Sequence, residues 1–408
     1  MFKLAWRNLW RRKRRTAITV LSITIGVGLC LFYTGLGDGM YGQVISMAVR
    51  SGSGHLVLEN RSYRDDQVLK HTIQASDELI RSVKAVEGLE GYSLRISAPG
   101  MVSTSYGTVG GGFDAVRPDL DKEFSLLNRN LVEGRYLESG RDMIIGTELA
   151  RKLKVNIGSK VVLTAQDRDG ETVQDLFRVV GTFRTRSDMM DGFYFQITLD
   201  QAREMLGLGP DDLTQVGVYL EDRHLQDEAR DYLERCEPVK ASGAAVVPWQ
   251  EVLSDLANYI EVDTASNYIF QILLFLVILA GVLNTVLMSV MERTYEFGVM
   301  LSIGMSRMRL LLMVVVECAM LAAIGTVCGA ALGWAENALL YRYPIDLSSY
   351  LPDATVGGYF MDMALQMNLT LPHFITTLAL VFVMILIVGV YPAFKAARIE
   401  PVDALHSL

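Results

Sequence analysis

Cysteine is scarce: there are four in 408 residues, and Cys30, Cys318 and Cys328 lie inside apolar runs. Cys236 stands alone in the polar middle of the chain, so no disulfide can staple that region and its own core must hold it. The five histidines are scattered, and no Cys-x-x-Cys or Cys/His cluster offers zinc a tetrahedral ligand set. Neither a Gly-x-Ser-x-Gly elbow nor a His-Glu-x-x-His pair occurs, which removes two common hydrolase constellations. No Gly-x-x-x-x-Gly-Lys-Ser/Thr loop occurs either, so these residues cannot cradle a nucleoside triphosphate in the P-loop manner. Asp65-Asp66 and Asp188-x-x-Asp191 could bind a cation, but solvated loop acids are the better reading, since a hard cation takes about six oxygens or more. The run Gly110–Gly112 has no following Lys-Ser/Thr and predicts a flexible tip.

Apolar residues, by contrast, are plentiful. Half of the chain is hydrophobic, yet 21% is charged, which predicts membrane spans beside a large folded domain in water. Residues 17–35, 268–291, 310–334 and 374–390 are each near the ~20 apolar residues that cross a bilayer. Lys3, Arg7, Arg11, Arg12, Lys13, Arg14 and Arg15 precede the first run, Arg293, Arg307 and Arg309 join the second to the third, and Lys395 and Arg398 follow the fourth. All twelve fall on one side of the membrane if the first span leads outward, which puts both chain ends in the cytoplasm. A cleavable leader also begins basic and apolar, but the first run is long and residues 35–42 hold no clear small-x-small cleavage site. Phe2, Trp6 and Leu9 share a helical face beside basic residues, which predicts an amphipathic helix over 1–16 lying at the interface.

Residues 46–264 then form one extracytoplasmic insertion with 25 Lys/Arg against 36 acids, and this acidic balance argues against a nucleic-acid partner. Alternating stretches at 55–59, 92–97, 101–106, 142–145, 159–165 and 177–182 predict strands. Helices are predicted at 76–86, with Ser76 and Asp77 as caps, at 147–153 and at 225–236. The fold class is therefore a membrane protein of four transmembrane helices, with a large mixed α+β extracytoplasmic domain inserted between helices 1 and 2. A β-rich lobe is expected at about 131–223. The expected segments are a first span with its extension at 17–45, then 265–291, a cytoplasmic stretch 292–309, 310–334, an external loop 335–371, 372–392 and a tail 393–408.

Several ordered motifs lie around these spans. Leu4-Ala5-Trp6-Arg7-Asn8-Leu9-Trp10 leads into the basic run, and Glu133-Gly134-Arg135, Met143-Ile144-Ile145-Gly146 and Leu153-x-Val155-x-x-Gly158 lie in the middle. Glu292-Arg293-x-x-Glu296-x-Gly298, Gly304-Met305-Ser306 and Pro392-Ala393-x-x-Ala396-Ala397-x-x-x-Pro401-Val402 follow. In order and spacing, over nearly the whole chain, this resembles the FtsX-like permease subunits of bacterial ABC transporters, which include macrolide-exporter and lipoprotein-releasing permeases. The resemblance implies a protein of the bacterial inner membrane that is not itself an enzyme and binds no cofactor. ATP and its magnesium would sit on a separate ATPase, present in two copies beneath a pair of permeases, and the second permease is either the same chain or a paralogue. Motion of the ATPase would travel along the helices to the outer domain, a mechanotransmission that acts on lipoproteins or other amphiphiles in the outer leaflet. Its alternatives are efflux of small molecules or peptides from the periplasm and non-transporting activation of a cell-wall hydrolase. Membrane lipid and a periplasmic adaptor or chaperone are further partners of such systems.

Carried onto this sequence, the resemblance places Glu292, Arg293, Glu296, Gly298 and Met305 at or beside the ATPase contact. An ordinary interfacial turn is the plain alternative. Phe297, Val299, Met300, Leu301 and Ile303 make the stretch apolar enough to dock as a helix on a partner groove. Glu317 is the one acid well inside a span; such acids are costly and often functional, and the plainer reading is a hydrogen bond to another helix or partner. Asn284, Asn267 and Thr285 are candidates for polar contacts between helices. Tyr341, Tyr343, Tyr350, Tyr359 and Phe360 suggest an aromatic belt or a lipid-side substrate contact.

Overall fold

The computed structural model describes residues 6–7, 10–11, 13–66, 68–185, 187–346, 355–356, 359–360 and 364–398. The reading of 1–16 as one helix, most of the aromatic side chains of the external loop and the motif beyond 398 therefore lie wholly or partly outside the described residues. The chain divides into two units: Met1–Gly42 with Glu261–Tyr350 and Met363–Leu408, and Gln43–Ile260 with Leu351–Asp362.

The first unit is built on four helices long and apolar enough to cross a membrane: Lys13–Ala48, Ser254–Glu292, Arg307–Arg342 and Leu371–Ala397. Ile23, Val27 and Leu31 of the first helix are fully buried. They seat on Gly325, Gly329 and Gly333 of the third, where an added Cβ would come within 2.5 Å of each in turn. Glycines four residues apart put one bare stripe along the helix and let two backbones approach, which is how helices associate where lipid removes the hydrophobic drive. Gly35, Gly37, Gly39 and Gly42, poor helix formers, all lie within the first helix. Two of them have a packing reason. A Cβ on Gly39 would meet the Gln366 carbonyl oxygen, and the Asn368 amide donates to the Gly35 carbonyl at 3.0 Å.

The second unit carries a ten-stranded sheet. Its strands are β1 (Leu56–Asn60), β3 (Leu89–Thr104), β4 (Gly107–Val116), β5 (Leu131–Gly134), β6 (Asp142–Gly146), β7 (Lys160–Gln166), β8 (Thr172–Phe183), β9 (Tyr194–Thr198), β11 (Gln215–Leu220) and β12 (Ala244–Pro248), while β2 (Ile73–Gln74) and β10 (Asp212–Leu213) pair apart. The order is β12-β1-β11-β3-β4-β9-β6-β8-β5, with β7 bridging β3 and β8. Two expected strands, at 92–97 and 101–106, are one strand, β3. Its outer side pairs with β11 as far as Arg95 and with β7 from Gly100. Pro99, which has no amide hydrogen, falls in the gap between those ladders and costs no bond. Because β3 serves both halves, the sheet is continuous through the region expected as a lobe, and β11 pairs with β1 and β3.

Gly110–Gly112, expected as a tip, lies inside β4. A Cβ on Gly111 would sit 1.8 Å from the Phe193 carbonyl oxygen, so the glycine serves a close backbone approach. Ser76 caps the helix Asp77–Lys84 by accepting from the Leu79 amide at 3.3 Å, and Leu79 and Val83 face the core.

One charge cluster is buried in this unit. Arg95 on β3 donates to Asp114 of β4 at 3.1 Å, to Asp121 at 3.0 Å and to the Tyr219 hydroxyl of β11 at 2.9 Å. Burial opposes the charge, but Tyr219, Asp121 and Asp114 offset it and hold the guanidinium protonated well above its ordinary range. Tyr136 joins from the other side, donating to Asp121 at 2.7 Å, and burial pushes its hydroxyl pKa far up.

Candidate functional site

The residues between the second and third long helices form a helix–turn–helix joint. The second helix ends at Glu292, Arg293 leaves helical geometry, and a short helix runs from Thr294 to Ser302. Gly304, at φ +100°, stops it: the Gly304 amide donates to the Leu301 carbonyl and the Met305 amide to that of Met300, each at 3.1 Å. This left-handed cap needs glycine, and it folds Met305 back toward Met300. Ser306 then caps the third long helix by accepting from the Arg309 amide at 3.4 Å. The expected stretch 292–309 is thus two helix ends around one short helix.

Arg293 is the hub of the joint. Its Nη1 donates to both oxygens of Glu317 at 3.0 and 2.9 Å, its Nε donates to Glu296 at 3.2 Å, and its guanidinium lies 5.0 Å from the Phe297 ring centroid. The Arg293 and Glu317 side chains are only 10% and 13% exposed, so each compensates a charge the other would leave stranded. The first helix joins the same site. Arg15 donates to both Glu292 oxygens at 2.6 Å, and Arg11 donates to Glu296 at 3.0 Å. Three arginines and three glutamates thereby tie the first, second, short and third helices together. The cavity among them is about 60 Å³.

Of the residues singled out from sequence, Glu292, Arg293, Glu296 and Glu317 meet here. Gly298 is buried within the short helix, and Met305 closes its turn. Asn284 does not join them; it is exposed on the second helix. Arg11 and Arg15 were missed as site residues because basic residues before a span are read as orientation signals, and nothing local marks a partner some 280 positions away. At the far end of the bundle Asn267, expected as a polar contact between helices, lies in a network whose other members, Tyr33, Tyr41 and Asp263, were missed. There Tyr33 donates to Asn267 at 2.5 Å, Asn267 donates to the Tyr41 hydroxyl at 2.6 Å, and Tyr41 donates to Asp263.

Four membrane helices, a sheet domain inserted after the first, and a charged joint between the second and third define the permease component of a transporter. Residues 268–401 match the FtsX-like permease C-terminal family, and residues 16–235, more than half of the chain, match the MacB-like periplasmic core domain. The chain belongs to the FtsX-like, MacB-type ABC transporter permeases. It is an inner-membrane protein with an extracytoplasmic domain, and the family implies an ATPase partner.

Among curated relatives, the uncharacterized ABC transporter permease YvrN of Bacillus subtilis is 24% identical over 99% of this chain and 98% of its own length. The pyoverdine export ATP-binding/permease protein PvdT of Pseudomonas savastanoi is 25% identical over 99% of this chain, which spans 58% of it. The macrolide export ATP-binding/permease protein MacB of Escherichia coli is 23% identical, and the chain spans 60% of that protein. Among solved structures, the periplasmic region of MacB from Actinobacillus actinomycetemcomitans aligns with 51% of this chain and 95% of its own at 10% identity and a TM-score of 0.37.

Proposed function

We propose that the chain is the passive lever of an ABC transporter. A separate ATPase, in two copies, docks on the helix Thr294–Ser302, and its closure on ATP travels along the long helices to the extracytoplasmic domain. Both chain ends and the Arg293 joint then face the cytoplasm. Tyr295, Ile303 and Met308, which are 48%, 82% and 64% exposed, give the ATPase an apolar face to grip.

The distribution of polarity along the bundle carries this reading. Charged and polar contacts gather at its two ends. Between them the described core includes Ile23, Val27, Leu31, Leu279, Val282, Ala322 and the third helix's glycines, and its few polar groups include the hydroxyls of Thr24 and Thr326 and the Glu336 carboxylate beside Gly28. A close-packed, largely apolar middle is better suited to transmitting displacement than to passing a polar substrate.

Such a lever suits cargo that is already outside the membrane or in its outer leaflet, and the cargo we assign is a lipoprotein or another amphiphile. A second reading, export of small molecules from the periplasm, is favoured by the names of the macrolide and pyoverdine exporters among the relatives. Depleting the chain and fractionating the membranes separates the two. Lipoproteins trapped in the inner membrane support the first, and unchanged lipoprotein sorting with lowered drug or siderophore export supports the second.

A further inference from the structure

We propose that a cavity at the extracytoplasmic end of the helical unit binds the ammonium group of an amphiphile seated in the outer leaflet. The cavity, of about 110 Å³, lies among the first, second and fourth long helices, where the chain leaves for the inserted domain. Its wall includes Tyr33, Asp38, Tyr41, Asn267, Gln271 and His373, and among the described residues no lysine or arginine lines it. The donors of this wall are largely spent on the wall itself. Tyr33 donates to Asn267, Asn267 to Tyr41, Tyr41 to Asp263, and Gln271 Nε2 to Thr34 at 3.3 Å. The tyrosine ring faces and the Gln271 amide oxygen remain to receive a guest, and the Asp38 carboxylate receives it where the guest displaces His373. Acceptors and aromatic faces, with the His373 imidazole as the basic side chain among the described lining residues, favour an N–H-bearing cation over phosphate or sulfate.

Asp38 already has partners. It accepts from the Thr370 amide at 3.1 Å and hydroxyl at 3.0 Å, and His373 Nδ1 lies 2.7 and 2.9 Å from its two oxygens. His373 is half exposed and stands where an incoming ammonium would. The volume equals roughly four waters at ~30 Å³ each, so a small head group enters and its tail stays outside. Tyr268, Ile269 and Ile272 beside the mouth are 56%, 63% and 55% exposed and can cover such a tail. For its cargo the proposal rests on the amphiphile reading above, but its test needs no transport.

The whole chain, purified in dodecyl maltoside micelles, is titrated with decylammonium, decyl sulfate and ethylammonium, and bound molecules are counted by native mass spectrometry. The expected result is one decylammonium per chain, held at least tenfold more tightly than decyl sulfate. Ethylammonium should need at least tenfold higher concentration, which separates a membrane amphiphile from a free amine. Asp38→Asn weakens decylammonium retention at least tenfold. Because Asp38 also holds Thr370, Gln271→Leu provides an independent variant with the same expected loss. Equal retention of decyl sulfate, ethylammonium bound as tightly as decylammonium, or undiminished binding in both variants overturns the proposal. That failure beside intact lipoprotein trapping would remove the pocket alone, and binding without trapping would remove the transport reading alone.

Discussion

Arg95 and Arg293 each meet two carboxylates, but the elements that supply those carboxylates differ. Arg95, 3% exposed, takes Asp114 from the neighbouring strand and Asp121 from the short helix Pro118–Asp121 that follows it, with Tyr219 on the adjoining strand. Backbone ladders already fix Asp114 and Tyr219, and the ion cluster adds the short helix that carries Asp121 to the same body. Arg293 takes Glu317 from the third long helix and Glu296 from the short helix, and Arg11 and Arg15 arrive from the first. No backbone ladder joins these helices, so the side chains themselves set how the helices meet. A buried charge cluster inside one sheet is a fastening, whereas the same chemistry across separate helices is a joint that an applied force can shift.

Removing the fastening should have the largest effect. Arg95→Met strands two buried carboxylates and should destabilise the inserted domain by about 3–5 kcal/mol. Urea titration of the full chain, followed by protease resistance within the domain, would show it, and an unchanged midpoint would mean that the cluster is not structural. At the joint, Arg293→Met should cost the helical unit about 3 kcal/mol, the low end because both side chains keep a tenth of their surface, and leave the inserted domain's midpoint alone. Adding Glu317→Leu should restore most of that loss in thermal unfolding in micelles, since an apolar pair replaces a stranded carboxylate. If both units lose stability together, the distinction between fastening and joint fails.

Gly329→Leu forces a side chain where even a Cβ lies 2.5 Å from Val27 Cβ, and should cost about 1–3 kcal/mol in the same micelle assay. A smaller effect is expected from pH. His55 Nδ1 accepts from the Leu220 amide at 3.0 Å, and burial, with Arg50 nearby, holds its pKa below the ordinary histidine value. The unfolded chain therefore takes up the proton first. The contribution is present above about pH 6.5 and is lost as pH falls through that range. A urea midpoint that drops from pH 7.5 to 5.5 in the wild type, and drops less in His55→Asn, is the expected pattern. Smallest of all, Arg11→Ala breaks a pair whose arginine is 72% exposed and should cost no more than about 1 kcal/mol.

Much of this architecture was legible in the residues because its signals are local. Apolar length marked the four long helices, and the helix Thr147–Leu153 has the bounds its sequence predicts. Of the two caps expected, Ser76 caps the helix and Asp77 is its first residue. What escaped depends on contacts far apart in sequence. Ala98-Pro99-Gly100 reads as a break between strands, and only the change of partner from β11 to β7 explains why the strand continues. Glycines at 35 and 39 read as weak helix formers until residues 366–368 come to lie on them. Glu317 announced itself as a costly intramembrane acid, but no periodicity could name Arg293 as its partner.

The central claim is that nucleotide-driven motion enters through the Arg293 joint. The most direct test is ATP turnover by the partner ATPase reconstituted with this chain in proteoliposomes, wild type against Arg293→Met, with the two proteins' association measured in the same sample. The account predicts no turnover by the chain alone, and association retained but stimulation of turnover lost in the variant. Hydrolysis by the purified chain, or full stimulation by Arg293→Met, would contradict it.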